Sequence, residues 1–527
     1  MKKILFKLFA VLFVGVVIYY FLLPPLNLSA PLFWVFSLSL IFLFLVLISL
    51  NNLEEHILIR TKSRKEKKLS FIWSIYLIIF LVPFVLVFIG SPIFNSKKYA
   101  NRISIEDASF KDDVKIVDFS KLPLLDKASS IKLGDRVMGG MTDLVSQFSV
   151  SELYTQINYN DDIVRVTPLE YASVIKYFTN NKDGVKGYIV VNSVTGKANL
   201  VKLDKGMQYM PSSLFSKDLY RHLRFNYPTK IFGVESFEID NEGNPYWIIP
   251  TIKYALIGLR PEVDGAIILN AITGESKFYK VKDIPKWVDH VYPADLIMQQ
   301  TDDNGTYKNG FINSILGQKG VVITTDGYNY VASDDDIYLY TGITSVTNDE
   351  SILGFIMTNL RTKDTKFYSV SGAKEESAMA SAEGKVQQMN YVSTFPLLIN
   401  LNDKPTYFLS LKDNAGLVKM YGFVDVEDYQ NVVVTDASLG IEEAVSNYLN
   451  GEILESDNLV EKEIEISSIK DAVLDGLTYY YIVDNEENHY KVSIKVADNL
   501  LPFMREGENI SISYRENEEI LEIVKIN

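Results

Sequence analysis

The 527-residue chain carries 66 acidic against 52 basic residues, a formal charge of −14, and no cysteine. At about 150 residues per domain its length suggests three or four domains. Without cysteine, disulfides, Cys-ligated zinc and thiol nucleophiles are excluded, and four histidines beside 32 tyrosines leave little acid–base chemistry to imidazole.

The amino-terminal residues are a membrane anchor in composition. Residues 4–23, 31–50 and 71–94 are apolar runs, interrupted in charge only by Lys7, and each is near the ~20 residues that cross a hydrocarbon core. Met1-Lys2-Lys3 ahead of such a run also suits a cleaved signal peptide, but Pro31 follows a poor small-residue site, so a retained helix is expected. Arg60, Lys62, Arg64, Lys65, Lys67 and Lys68 crowd the segment between the second and third runs. By the positive-inside rule that segment and the amino terminus face the cytoplasm, and residues 95–527 lie outside. Such a basic cluster is read as a topology signal and headgroup contact rather than a nucleic-acid site. Residues 1–94 hold nine basic and three acidic residues, leaving 43 and 63 in the remainder, a net of −20. An exported part so acidic repels polyanions, so neither nucleic acid nor nucleotide is expected as a partner.

Residues 95–150 read as a turn-rich connecting segment. Gly134 and Gly139 have the spacing of a phosphate loop, but Gly140 and Met141 stand where Lys and Ser or Thr are required. A plain connection is expected there, with exposed Arg136 as a partner-binding candidate.

Thr167, Pro168 and Glu170 have the residue types of N-cap, N1 and N3 and predict a helix whose apolar face includes Tyr171, Val174, Ile175 and Phe178. A 17-residue phrase then occurs three times, at 187–203, 265–281 and 354–370. Gly is first, Ile third, Asn sixth and Thr ninth in each copy, and the last two also share Lys-Phe-Tyr-x-Val. Repetition at fixed offsets marks a supersecondary unit. Asn and Thr hydrogen-bond their own backbone, and Gly196 and Gly274 supply positive φ, so each copy predicts a strand, a tight turn and a second strand. Another hairpin is expected at 236–250, and a similar phrase follows at 396–408. Further helices are predicted at 217–224, 285–298 and 378–389.

Helix, aromatic hairpin and Asn-x-x-Thr hairpin in that order resemble the PepSY type of module. Asn192-Ser-Val-Thr195-Gly196 and Asn270-Ala-Ile-Thr273-Gly274 match its Asp-x-x-Thr-Gly turn with Asn for Asp, while Asn359-Leu-Arg-Thr362 is followed by Lys363. The resemblance implies binding or inhibition of envelope partners and brings no catalytic residues. The expected units are 151–205, 206–284 and, with insertions, 285–454.

From residue 455 the pattern changes. Residues 464–467, 478–483, 490–496, 509–514 and 520–524 are mostly alternating candidate strands, with a short helix at 500–504. Five strands with that insertion predict a small barrel of OB type, with Ile464, Tyr480, Ile482, Val492, Ile494, Ile510, Ile512 and Ile523 facing inward.

No catalytic, cofactor or metal set emerges. His56, His222, His290 and His489 lack ligand spacing; His56 is expected in the loop between the second and third apolar runs, and His222 and His290 on helices. Three Ser-x-x-Lys occurrences, at Ser129, Ser173 and Ser467, have no companion motif. Asp302-Asp303-Asn304 and Asp334-Asp335-Asp336 lack the calcium-loop pattern and are read as solvated. Aromatics concentrate around the second and third copies, and Tyr246, Trp247, Trp287, Tyr328 and Tyr338 join Arg136 as partner-binding candidates. The expectation is therefore a membrane-anchored α+β protein with three related units and a terminal barrel. It would bind or scaffold a protein partner at the cell envelope, within a membrane complex. The alternative is an envelope enzyme, or a modulator of an exported protease, acting on peptide or glycan.

Overall fold

A computed structural model describes residues 2–58, 64–333, 336–346, 351–455, 460–474, 477–514 and 521–526. Helices α1 (Lys2–Leu22), α2 (Pro31–Leu58) and α3 (Arg64–Gly90) come first. Within them Ile4–Leu22, Pro31–Leu50 and Leu69–Gly90 are long and apolar enough to cross a membrane. A helix keeps its backbone hydrogen bonds internal, which hydrocarbon requires. Arg60 and Lys62 of the basic cluster lie outside the described residues. The chain divides into two compact units, residues 1–431 and 432–527.

In the first unit α4 (Pro92–Ala100) follows α3 across Ser91, then come β1 (Ile105–Ala108), the one-turn helix α5 (Phe110–Asp113) and α6 (Lys127–Gly139). The stretch expected to be a connection is thus partly helical. Asp126 caps α6 by accepting from Ser129 N at 2.9 Å, and Gly134 lies against the Tyr154 hydroxyl.

Four antiparallel sheets follow. The first has β2 (Phe148–Val150), β3 (Thr155–Tyr159), β4 (Asp162–Tyr171), β5 (Val185–Asn192) and β6 (Ala198–Met207), with α7 (Val174–Asn180) between β4 and β5. The second is introduced by α8 (Leu219–Asn226) and has β7 (Ile231–Phe232), β8 (Ser236–Ile239), β9 (Pro245–Leu256), β10 (Leu259–Asn270) and β11 (Ser276–Tyr279). In the third, α9 (Ala294–Tyr307) precedes β12 (Val322–Thr324), β13 (Asn329–Ser333), β14 (Asp336–Ser345), β16 (Gly354–Asn359) and β17 (Thr365–Tyr368). A separate small pair, β15 (Ser351–Ile352) with β18 (Gly372–Ala373), flanks it, and β1 extends it by pairing parallel to β17. The fourth has α10 (Glu375–Lys385), then β19 (Val392–Ser393), β20 (Leu397–Leu401), β21 (Lys404–Lys412) and β22 (Val418–Asp425).

The wiring is the same each time. A short strand and one hairpin arm both pair with one side of a long strand, whose other side takes the next strand. The second sheet is apolar on both faces, as a covered sheet must be. Trp247, Ile249, Ile267 and Leu269 enter the core shared with the first sheet, and the alternate residues Ile248, Ala266 and Ile268 enter the core with α9 and the third sheet.

Three sequence expectations are corrected. Thr167–Glu170 does not open a helix: it is strand, Pro168 lies opposite Tyr188, and the helix starts at Val174 under a cap from Ser173 Oγ. Capping-box chemistry is local, whereas the buried stretch from Ile163 to Leu169 is held by strand pairing on both sides. The helix expected at 285–298 begins only at Ala294, behind Pro293, and His290 precedes it. His56 lies on α2 rather than in a loop.

In the second unit β23 (Val432–Asp436) and α11 (Ile441–Glu455) precede β24 (Val460–Leu474), β25 (Leu477–Asp484), β26 (His489–Ser493), β27 (Asn509–Tyr514) and β28 (Leu521–Ile526). β24 pairs with both β25 and β27, β26 with β25, and β28 with β27, all antiparallel; β26 and β28 pair parallel. Ile464, Ile482, Val492, Ile512 and Ile523 are buried together with Tyr490 and Leu501, whereas Tyr480, Ile494 and Ile510 are only partly buried.

Candidate functional site

A cavity of about 760 Å³ lies in the first unit where the first, third and fourth sheets meet. Its apolar wall is Ile163 of β4, Val331 and Ala332 of β13, Met357 of β16 and Leu397–Ile399 of β20. Residues 113–123 close one side. This strap leaves α5 and runs along β20: Val117 N donates to Asn400 O at 2.9 Å, and Asn400 Nδ2 donates to Val114 O at 2.6 Å.

Two polar atoms in this lining have no partner. Asn400 is 1% exposed and its Oδ1 accepts nothing. Asn158 Oδ1 is likewise buried and unpaired, while Asn158 N is held by Asp289 Oδ2 at 2.7 Å. A buried acceptor without a donor is costly, so these two amide oxygens give the cavity a demand for N–H or O–H groups. At the rim Lys366 Nζ meets Asp113 Oδ2 at 2.7 Å and the Tyr368 hydroxyl approaches the same oxygen at 3.5 Å. Burial raises the Tyr368 hydroxyl pKa, so it remains a donor.

A second cavity of about 200 Å³ is lined by Tyr154, Gln156, Glu235, His290, Tyr328 and Tyr330 among others. Beside it sits a buried polar network. His290 Nε2 lies 2.6 Å from Gln156 O, so that nitrogen carries the proton, and burial lowers the imidazole pKa to about 4. Gln156 Oε1 accepts from Arg165 Nη2 at 2.6 Å, and burial brings that guanidinium down to about 10. Glu238 accepts from Ser236 Oγ, Asp289 N and His290 N at 2.8, 2.9 and 3.1 Å; burial nevertheless pushes its carboxyl upward. Asp289 and His290 join Glu238 of β8 to Gln156 of β3, whose Nε2 donates to Tyr330 O of β13 at 3.4 Å, so the network ties the first three sheets together. The Tyr154 hydroxyl is a buried orphan.

The aromatic candidates do not converge on one patch. Tyr338 lines the large cavity, and Tyr328, 36% exposed, lines the smaller one. Trp247 is fully buried, its indole N–H donating to Tyr209 O at 2.9 Å, so it is core. Tyr246 and Trp287 pack on each other with centroids 5.0 Å apart. Arg136 is exposed on α6. The acidic runs have structural partners: Asp302 Oδ1 accepts from Thr324 N at 2.8 Å, Asp303 pairs with Arg102, and Asn304 Nδ2 donates to Ala100 O. Asp336 takes the Arg361 guanidinium through both oxygens at 2.8 and 2.6 Å, and Asp334 and Asp335 lie outside the described residues. Among the described residues no group of three or more His, Asp or Glu is placed to hold a metal.

The three phrases form hairpins with one turn geometry. Asn192, Asn270 and Asn359 each accept, through Oδ1, the amides two and three residues on, at 2.8–3.0 Å. Gly196, Gly274 and Lys363 follow at φ 72°, 76° and 69°. The sequence matches no known family profile and no curated protein.

Proposed function

We propose that the chain is a membrane-anchored, extracytoplasmic binding protein that works inside a complex of the cell envelope. The observation carrying this reading is the large cavity, whose apolar walls enclose two unpaired amide oxygens. Its ligand would bring apolar groups and hydrogen-bond donors together, as a segment of a protein partner does. The basic cluster between α2 and α3 supports a cytoplasmic amino terminus, and the acidic remainder supports a soluble exterior. The first three sheets, which carry the repeated phrase, are read as PepSY-like repeats, on their common wiring and matching turns. The terminal strands are read as an OB-like unit, on the pairing order β24-β25-β26-β28-β27.

A photo-crosslinking residue at Met357 of the full-length protein tests the binding role in native membranes. A discrete adduct is expected from Met357 and not from a Leu417 control, and Ala332→Trp, which fills the cavity, should abolish it. Equal labelling from both positions, or an adduct indifferent to Ala332→Trp, would remove the cavity as the binding site.

A further inference from the structure

We infer that the first unit carries two apolar tips beside its membrane helices, and that both insert into the lipid leaflet on that side. The surface is separate from the cavity described above and rests on the three apolar helices crossing a bilayer.

The first tip is α7. Tyr177 anchors the helix, buried on one face with its hydroxyl donating to Leu214 O at 3.1 Å. The rest of the helix surface shows Val174, Ile175 and Phe178 at 59, 72 and 57% exposure. Phe178 lies 6.3 Å from Phe215, itself 56% exposed and held at φ 55°, a conformation rare for a bulky residue. The link to the anchor is one side chain long. Arg221 Nη1 donates to Phe215 O at 2.8 Å, while its Nε reaches Tyr20 O at 3.3 Å and its guanidinium covers the Tyr20 ring at 4.3 Å. Tyr20 lies in the last turn of the first apolar span.

The second tip follows α9. Ile312, Ile315 and Leu316 are 72, 58 and 81% exposed. Helix α4 begins where the third span ends, and α9 lies antiparallel to it. Tyr99 and Ala100 at the end of α4, and Arg102 just beyond it, meet Tyr307, Asn304 and Asp303 in turn, and the Tyr99 hydroxyl donates to Gly90 O, where the third span ends, at 3.2 Å. Beyond the end of α9 at Tyr307 the chain turns at Gly310, φ 91°, and Phe311, which opens the tip, stacks on Tyr307 at 6.4 Å, so Tyr99 and Tyr307 join the tip to the end of the third span. Lys308 and Lys319 flank this tip, and Lys97 and Lys98 are exposed on α4.

Single exposed apolar residues are ordinary in soluble proteins. Two clusters, each tied to the end of a different span, are not explained that way. Apolar tips with lysines alongside have the composition of interfacial segments, whose ammonium groups meet headgroup phosphates while the side chains enter the acyl boundary. A bilayer at the ends of the spans already lies beside both tips, which favours lipid over a protein partner.

The absence of cysteine makes the test direct. Ile175→Cys, Leu316→Cys and, as an exposed control on the fourth sheet, Val392→Cys are each spin-labelled in the full chain and reconstituted in phosphatidylcholine–phosphatidylglycerol vesicles. Labels at 175 and 316 should collide more with oxygen and less with a water-soluble nickel chelate than the label at 392. Nickel accessibility equal to the control would place the tips in water. Shielding from both reagents would place them against protein, a partner or a second copy. Either result overturns the inference.

Discussion

Lys363 Nζ lies 2.7 Å from Glu262 Oε1, joining the turn of the third sheet to the second sheet. The same ammonium reaches Arg102 O at 2.9 Å and Gln300 Oε1 at 3.2 Å. This explains why the third Asn-x-x-Thr turn has lost its glycine: the left-handed residue there is a clamp between the segment leaving the membrane helices, β10 and α9. Lys363→Gly relieves the strain of φ 69° but removes three contacts of an ammonium on a side chain only 16% exposed. A net loss of about 1–2 kcal/mol is expected, measured by thermal or denaturant unfolding in detergent. Part of it should be shared with Glu262→Gln in a double-mutant cycle. Greater stability in Lys363→Gly would mean that backbone strain outweighs the clamp.

The leading glycine of each phrase is required by close approach. A β-carbon at Gly187 would lie 2.6 Å from Val201 O, and at Gly265 and Gly354 it would collide with Tyr279 O and Tyr368 O. These are backbone atoms of the paired strand and cannot rotate away. Gly265→Ala or Gly354→Ala should therefore cost about 2–4 kcal/mol, the range of a forced backbone shift. Gly139, at the end of α6 with nothing within 4 Å, provides the control. There alanine should be neutral or stabilising by up to about 1 kcal/mol.

Glu375 supplies a pH dependence. It is fully buried at the start of α10, its Oε1 accepts from Gly342 N at 2.9 Å, and Oε2 has no hydrogen-bond partner. Burial raises its pKa from 4.5 to about 7. Between those values the folded chain keeps a proton that the unfolded chain releases. The associated stability is therefore full below pH 4.5 and is lost as pH rises through 7, to a limit of about 3 kcal/mol. Glu375→Gln cannot ionise and should reduce the fall in melting temperature between pH 5 and pH 8. Glu238, raised in the same direction, leaves part of that fall in place. Parallel melting curves for variant and parent would discard the assignment.

What the sequence displays directly is local. The apolar runs predict α1 to α3 because the bilayer criterion is length and composition alone. The Asn-x-x-Thr turns are equally visible, since Asn192 and Asn270 bond amides two and three residues away. The cavity is not visible. Asn158 and Asn400 are 242 positions apart and carry no local signature, and only the packing of β3 and β20 brings their amide oxygens into one lining. The phrase at 396–408 did point to a hairpin around Asn400, without indicating that its side chain would be stranded. Trp247 was misleading for a related reason: composition marks an aromatic as interfacial or core with equal force, and its place on the inward face of β9 decides for core. The short strands β2, β7, β12 and β19 have two to three residues each, too few for any periodicity to register.

The second unit should fold by itself. Residues 432–527 form a compact unit, and its core side chains Ile464, Ile466, Ile482, Tyr490, Val492, Leu501, Ile512 and Ile523 are at most 3% exposed. Burying side chains of this size contributes roughly 1.5–3 kcal/mol each, which approaches what a domain under about 100 residues needs. One buried carboxylate serves as the internal check. Asp484 accepts from the Glu486 and Asn488 amides at 2.9 Å, from the Tyr490 hydroxyl at 3.0 Å and from Lys462 at 3.3 Å. Burial alone would raise its pKa, but these donors outweigh burial and hold it at about 2. A depressed folded pKa contributes stability above the ordinary aspartate value, and that contribution is lost as pH falls from about 4 to 2. The isolated fragment should give dispersed amide NMR signals at pH 7, and Asp484→Ala should lower its melting temperature, with the difference shrinking toward pH 2. A random-coil spectrum at pH 7 would show that these strands need the first unit to fold. Tight, salt-sensitive binding of single-stranded DNA by the folded fragment would overturn the inference from its acidic charge, since nucleic-acid contact of that kind requires neutralising phosphates with cations.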